Sequence, residues 1–264
     1  MKLFKSILAL AFASSLIPSV SSAITVDGVT FNAGSTFIFA GNLYETKPIA
    51  VGESLSGYGL VTGIDALINT GVSDFMPSGE LTFTFSGFTI TSTASIDGNP
   101  LPDFIFSGGV IQFFADTAND FNPAAAGSAA NGTPWLTLTA VPYLNALTGG
   151  SGTLQSYNTN ILVSPFTPSS GTAYFNATGG SAAPYLDTNT ILSSLSDIIT
   201  GGSADFFLNS SYQQALVPAN PLFPVQGNGQ LQGSGQNLPE PESLALLAIG
   251  LLGLGIVKRR KSFE

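Results

Sequence analysis

The residues Glu80 to Thr93, ELTFTFSGFTITST, alternate apolar and hydroxyl side chains with a period of two, and only an extended strand puts every second side chain on one face. Leu81, Phe83 and Phe85 form one apolar set, with Thr82 and Thr84 opposite; after Ser86-Gly87 the phase slips by one, and Phe88 and Ile90 alternate with Thr89 and Thr91. Such a slip turns the apolar set outward unless an extra residue absorbs it, so a β-bulge is expected at Ser86-Gly87. Around this strand the chain is punctuated by Gly, Pro, Asn, Asp and Ser and rich in Thr, Phe and Val, the composition of short strands joined by turns. Further strands are expected at Ser35 to Ala40, Leu55 to Ile64, Gly109 to Ala115, Leu136 to Val141, Ala173 to Ala177 and Asp205 to Tyr212. Their spacing predicts an all-β chain, a single β-sandwich or jelly-roll-like domain over residues 24–217.

One or two short helices fit beside these strands. Ile64 to Asn69 is brief; Thr188 to Ile199 sets Ile191, Leu192, Leu195, Ile198 and Ile199 at helical spacing, with Asp187 or Thr188 as a cap. Pro123 to Gly132 is a low-complexity loop, and Pro218 to Leu238, rich in Pro, Gly, Gln and Asn, reads as a flexible linker. No repeat of 20 to 50 residues recurs, which argues against a solenoid.

Composition removes whole classes of chemistry. The chain has no Cys and no His, so disulfides, thiolate metal sites, Cys nucleophiles, Ser-His-Asp hydrolysis and His-ligated haem are excluded. Seven Lys+Arg stand against sixteen Asp+Glu, a formal charge of −9. Lys47 is the only cation between Ile24 and Leu238. Such a surface repels phosphate backbones, so nucleic acid is not a partner; cations, neutral glycans and other proteins remain.

The two ends read as addresses. Lys2 and Lys5 precede the apolar run Ile7 to Ile17, and Ser21-Ser22-Ala23 supplies the small residues of a cleavage site, so residues 1–23 read as a secretory signal peptide cut after Ala23. At the other end, residues 239–264 begin with Pro239-Glu240-Pro241, continue through the uncharged Ser243 to Val257 and close on Lys258-Arg259-Arg260-Lys261. Fifteen helical residues rise about 22 Å, short of the roughly 30 Å hydrocarbon core, which suits a transient anchor. The basic cluster places the C-terminus in the cytoplasm and all before Pro239 outside.

The Pro-Glu-Pro triplet, the Ser-Leu-Ala-Leu-Leu start of the apolar run, the Gly-rich segment Gly250 to Gly255 and the basic tail closely resemble the PEP-CTERM sorting domain. The resemblance implies processing by an exosortase, an integral-membrane Cys protease of Gram-negative bacteria, with Pro239, Glu240 and Pro241 as recognition residues. Ser243 to Val257 would then hold the precursor in the inner membrane, and Lys258, Arg259, Arg260 and Lys261 would stop transfer. Some ice-binding proteins carry a similar C-terminal segment. The segments Gly108 to Asp116, Asp120 to Pro123 and Asp187 to Thr190 resemble parts of some exosortase-dependent ectodomains, which implies no ligand or catalytic residue.

Within the domain, Asp116, Asn119, Asp120 and Asn122 gather oxygen side chains just past a predicted strand end, and Ca²⁺ takes about six to eight oxygens. Asp187 and Asn189 are further candidate ligands. The spacing is not that of an EF-hand loop, and Asx turns account for the same letters without metal. A carboxylate pair drawn from Glu45, Glu53, Glu80 and the Asp residues is the remaining enzymatic option, for glycoside cleavage with carboxyls roughly 5 to 10 Å apart. Thr-x-Thr pairs such as Thr82 and Thr84, or Thr137 and Thr139, could order water as ice binders do, although Thr is also the ordinary residue of a wet strand face. Trp135 reads as core.

Together these features predict a non-catalytic, acidic, exported surface or extracellular-matrix protein, structural or adhesive in biofilm, floc or sheath; the alternative is a Ca²⁺- or glycan-binding surface module. The expected partners are the Sec translocon and an exosortase during export, the inner membrane transiently, and exopolysaccharide or other matrix proteins afterwards. No cofactor is expected, and Ca²⁺ is the one candidate.

Overall fold

The alternating segment forms β5, Glu80–Ser92, and its register shows how the phase slip is absorbed. In the computed structural model, which describes residues 23–32, 34–66, 75–76, 78–95, 102–157 and 168–236, β4 (Ser54–Ala66) runs antiparallel to β5. Leu55 lies opposite Phe88 and Gly57 opposite Phe85, so Ser86 and Gly87 together face the single residue Ser56. This is the expected bulge. Gly87 has φ +78°, a conformation L side chains rarely adopt, and both bulge residues are exposed while Phe85, Phe88 and Ile90 are buried.

At the bulge β5 also changes partner. Glu80 to Ser86 pair with β7 (Val110–Asp116), whereas Thr89, Ile90 and Ser92 pair with β6 (Phe104–Ser107), the two being joined by Gly108-Gly109. From β5 the sheet runs through β4, β3 (Thr36–Glu45), β17 (Val225–Ser234), β16 (Phe206–Gln214) and β12 (Ser169–Gly179). It returns to β5 by two routes, through β8 (Thr133–Val141) and β7, or through β11 (Leu154–Tyr157) and β6. Either route closes an antiparallel ring of eight strands. The all-β expectation holds; the layers expected of a sandwich are here opposite walls of one closed sheet. Closure leaves no exposed edge, and an eight-stranded ring is just wide enough to be filled by side chains or to hold one small ligand.

Each strand expected from the sequence lies inside an observed one or overruns it by a single residue at one end, but two expectations are corrected. The segment expected as a flexible linker, 218–238, contributes β17, which sits between β3 and β16 with ten and eight paired residues respectively. Its sequence, VQGNGQLQGS, does alternate: Val225, Gly227, Gly229, Leu231 and Gly233 are the less exposed positions, and Gln226, Asn228 and Gln230 are exposed. The inward glycines are required by close approach, since a Cβ on Gly227 would lie 2.1 Å from the Ser211 carbonyl oxygen and one on Gly233 2.4 Å from the Phe206 ring. Thr188 to Ile199, expected as a helix, is instead β13 (Ile191–Leu192) and β14 (Asp197–Ile199). Ser193 Oγ accepts from the Ile199 N–H and Ser194 Oγ from the Asp197 N–H, and these local bonds displace the helical ones. The only helices among the described residues are α1 (Ala183–Leu186) and a 3-10 turn, Ala126–Ala129, within the loop Pro123 to Gly132. Of Ile64 to Asn69, Ile64 belongs to β4 and residues 67–69 lie outside the described residues.

The hairpin of β1 (Ala23–Val26) and β2 (Val29–Asn32) turns at Asp27-Gly28, both at positive φ, and packs Val26, Val29 and Phe31 into the core. Trp135, fully buried as expected, donates its indole N–H to the Val26 carbonyl at 3.0 Å and stands edge-on to Phe31 and Phe39. Thr82, one of the hydroxyls considered for ordering water, is also fully buried, donating to the Ala129 carbonyl at 3.0 Å. Of the segment expected as a signal peptide, 1–23, all but Ala23 lies outside the described residues, as does the tail 237–264. Among the described residues no helix is long and apolar enough to cross a membrane.

Glu45, the last residue of β3, is 7 % exposed, and burial pushes its pKa from the ordinary 4.5 up to about 8. Because the folded value lies above the unfolded one, the ionised carboxylate opposes folding: stability is greatest below about pH 4 and falls as pH rises to about 8.

Two outcomes follow from this architecture. A chain ending at Pro224 lacks a wall of the ring and fails to give a cooperative thermal transition, whereas a chain ending at Gln236 retains it; circular dichroism melts distinguish the two. Glu45→Gln removes a pH-dependent loss on the order of 4 kcal/mol between pH 4 and 8, so its urea midpoint exceeds that of the wild type at pH 8 and converges with it at pH 4.

Candidate cation site

Where β5 begins and β7 ends, the antiparallel register sets Glu80 directly opposite Asp116. The loop that follows β7 turns back and brings Asp120 to the same place, so one carboxylate oxygen from each of the three lies within 4.8 Å of the others. The loop is fixed from several sides. Tyr58 donates its hydroxyl to the Pro123 carbonyl at 2.6 Å, Thr82 holds the Ala129 carbonyl, and Phe121 packs between Tyr44 and Tyr58. The Asp116 Oδ1 accepts from the Ala118 N–H at 2.9 Å, an Asx turn that starts the loop.

Each acid has a different environment. Asp120 is exposed and accepts from Asn131 Nδ2 at both oxygens, at 3.0 and 3.2 Å. Asp116 is half-buried. Glu80 is 8 % exposed; the backbone N–H groups of Asp120 and Phe121 donate to its carboxyl, but its Oε1 is buried with no partner. Burial raises the Glu80 pKa, and the charges of Asp120 and Asp116 raise it further against the opposing pull of the two N–H groups. Three carboxyls this close repel one another unless one takes a proton or a cation enters.

Of the residues expected at a metal site, the fold brings Asp116 and Asp120 together. Asn119 is exposed, and the Asn122 Oδ1 is engaged by the Ala124 N–H at 2.9 Å. Asp187 and Asn189 belong elsewhere, next to the buried Asp205, whose carboxylate accepts from the N–H groups of Ala177, Thr188 and Asn189. Glu80 is the ligand candidate not foreseen from the sequence. Nothing local marks it; only the β5–β7 pairing brings it to Asp116, 36 residues on.

Pro239, Glu240, Pro241 and the cluster Lys258 to Lys261 lie outside the described residues, but residues 237–261 match the family model of the PEP-CTERM protein-sorting motif. The chain carries a PEP-CTERM sorting motif. It is therefore an exported, exosortase-processed protein that reaches the cell surface or extracellular space. No curated protein matches the chain. A similar solved structure is described as a nonspecific heme-binding cyclase that catalyses [4 + 2] cycloaddition during neoabyssomicin biosynthesis. It is 13 % identical over 96 % of this chain and 84 % of that one, with a TM-score of 0.26, and at that score the likeness fixes neither fold nor activity.

The sorting motif follows β17 almost directly, so cleavage near Pro239 leaves the ring complete. Protein recovered outside the native cells is expected to end near Leu238 to Glu242, and to keep Lys258 to Glu264 in a strain lacking its exosortase; mass spectrometry of the C-terminal peptide reads the difference.

Proposed function

We propose that this exosortase-sorted protein is a structural or adhesive component of the cell surface or extracellular matrix, and that its barrel binds Ca²⁺ through Glu80, Asp116 and Asp120. The observation that carries the reading is the buried Glu80 carboxyl, whose Oε1 has no partner, with one of its oxygens within 4.8 Å of two further carboxylates. A hard divalent cation is the partner this donor set suits, being all oxygen and negatively charged, with backbone carbonyls and water to complete the usual six to eight ligands. Glycoside cleavage fits less well, because it needs two carboxyls with different environments and room for a sugar between them, roughly 5 to 10 Å.

Adhesion follows from the same electrostatics. Lys47 is the only cation among the described residues, so the bare surface repels anionic polysaccharide. A cation held beside the exposed Asp120 offsets that negative charge locally and offers open coordination positions to an exopolysaccharide or a second matrix protein. Export begins, on this reading, with the signal peptide cut after Ala23 and the Sec translocon, passes through a precursor held in the inner membrane, and ends in biofilm, floc or sheath. No catalytic step is assigned.

Ca²⁺ at about 100 times its dissociation constant stabilises the folded chain by about 2.7 kcal/mol, a rise in Tm of about 5 to 10 °C for a domain this size. Glu80→Gln and Asp116→Asn are expected to lose that rise, while Glu80→Gln melts no lower than wild type in EDTA at pH 7, because it removes a buried charge. Equal melting of wild type in Ca²⁺ and EDTA would overturn the cation reading.

A further inference from the structure

The ring is not completely filled. Between β3, β4, β5, β7, β16 and β17 lies a cavity of about 80 Å³, walled by Phe39, Leu43, Val61, Phe88, Ile111 and their neighbours. Glu45 and Ser210 are the only side chains on its wall that carry hydrogen-bonding atoms. A second cavity of about 40 Å³ shares Glu45, Leu55, Leu154 and Ser210 with the first and leads on to Lys47, Ser156 and Tyr212. The Ser210 hydroxyl, on the wall of both cavities, donates to the Gly171 carbonyl at 3.3 Å. Lys47 is held by Gln214 at 2.9 Å. No hydrogen bond within the protein is found to the Glu45 carboxyl, which therefore stands at the junction of an apolar chamber and a polar neck.

Space here follows from the sequence. Gly41 and Gly229 supply no side chain to the chamber wall, and a Cβ on Gly229 would meet only Leu208 and Leu43, at an ordinary 3.6 Å. A carboxyl in such a place is expensive to keep: burying a polar group without a partner destabilises, and buried groups left unpaired in native proteins call for a specific explanation. A chamber lined by apolar side chains, with one or two convergent polar groups, is the usual form of a small-molecule site. The volumes set the scale: a cavity of about 150 Å³ holds benzene, so a chamber of about 80 Å³ takes a molecule smaller than benzene.

We infer that the barrel interior binds a small neutral molecule of about the bulk of 2-propanol, its apolar body in the chamber and a single hydroxyl or carbonyl oxygen on Glu45. The carboxyl both donates to and accepts from such an oxygen, whereas an anionic ligand would meet the charge of Glu45 whenever it ionises. The site is independent of the cation cluster, which shares none of its lining residues.

Trp135, the only tryptophan, stands 6.0 Å from the ring of Phe39 on the chamber wall and reports on its occupancy. Titrating the full exported chain with 2-propanol is expected to give a saturable change in Trp135 emission, with 2-chloropropane binding about tenfold more weakly and isobutyrate not at all at pH 8. Glu45→Leu brings the alcohol down to the level of 2-chloropropane, and Gly229→Val, which fills the chamber, abolishes both while keeping the wild-type melting temperature. The inference is overturned if 2-propanol gives no saturable change, or if Gly229→Val folds and still binds it. It is equally overturned if a crystal soaked with the alcohol holds only water at Glu45.

Discussion

The fold depends on one strand having two partners along a single edge. Strand β5 is longer than either β6 or β7, and at the Ser86-Gly87 bulge it passes from one to the other. Without the extra residue, Phe88 and Ile90 would face outward and the ring would present an apolar strip to water. With it, the same strand keeps Phe85, Phe88 and Ile90 inside and turns sharply enough for the sheet to meet itself through both return routes. Closure then satisfies the backbone of the ring's strands from their neighbours, so the ring does not rest on a separate layer packed over an open face. The register that closes the ring also sets Glu80 against Asp116, and the chemistry of that corner is thus a by-product of how the sheet closes.

What was legible in the sequence follows the strength of the period-two signal. Glu80 to Thr93 has large apolar and hydroxyl residues at alternate positions, so the strand and its bulge could be read directly. Strand β17 has the same period, but its inward side chains are mostly glycine; composition reads Gly, Gln and Asn as flexible and hides the alternation. The helical spacing of Ile191, Leu192, Leu195, Ile198 and Ile199 is real, yet Leu192, Leu195 and Ile198 are exposed, because serine side chains take the backbone N–H groups a helix would need. Asp116 and Asp120 lie close in sequence and could be paired by eye, whereas Glu80 reaches them only through strand pairing. Long-range register is what a single sequence conceals.

The scarcity of cations explains why the buried acids are the informative residues. With only Lys47 among the described residues, and that lysine hydrogen-bonded to Gln214, the domain has almost no internal means of neutralising a carboxylate by ion pairing. Asp205 is dealt with by backbone geometry, since three N–H groups converge on it and need no counter-charge. Glu80 and Glu45 are not, and they differ in what surrounds them. Glu80 stands among like charges at the rim of the ring, where a proton relieves one repulsion and a divalent cation relieves all of them. Glu45 stands alone among apolar side chains, where the neutral acid is the stable form near pH 7 and its unmet requirement is a hydrogen bond. The same residue type, with a carboxyl oxygen left unpartnered in both places, therefore calls for a cation at one and a neutral polar atom at the other.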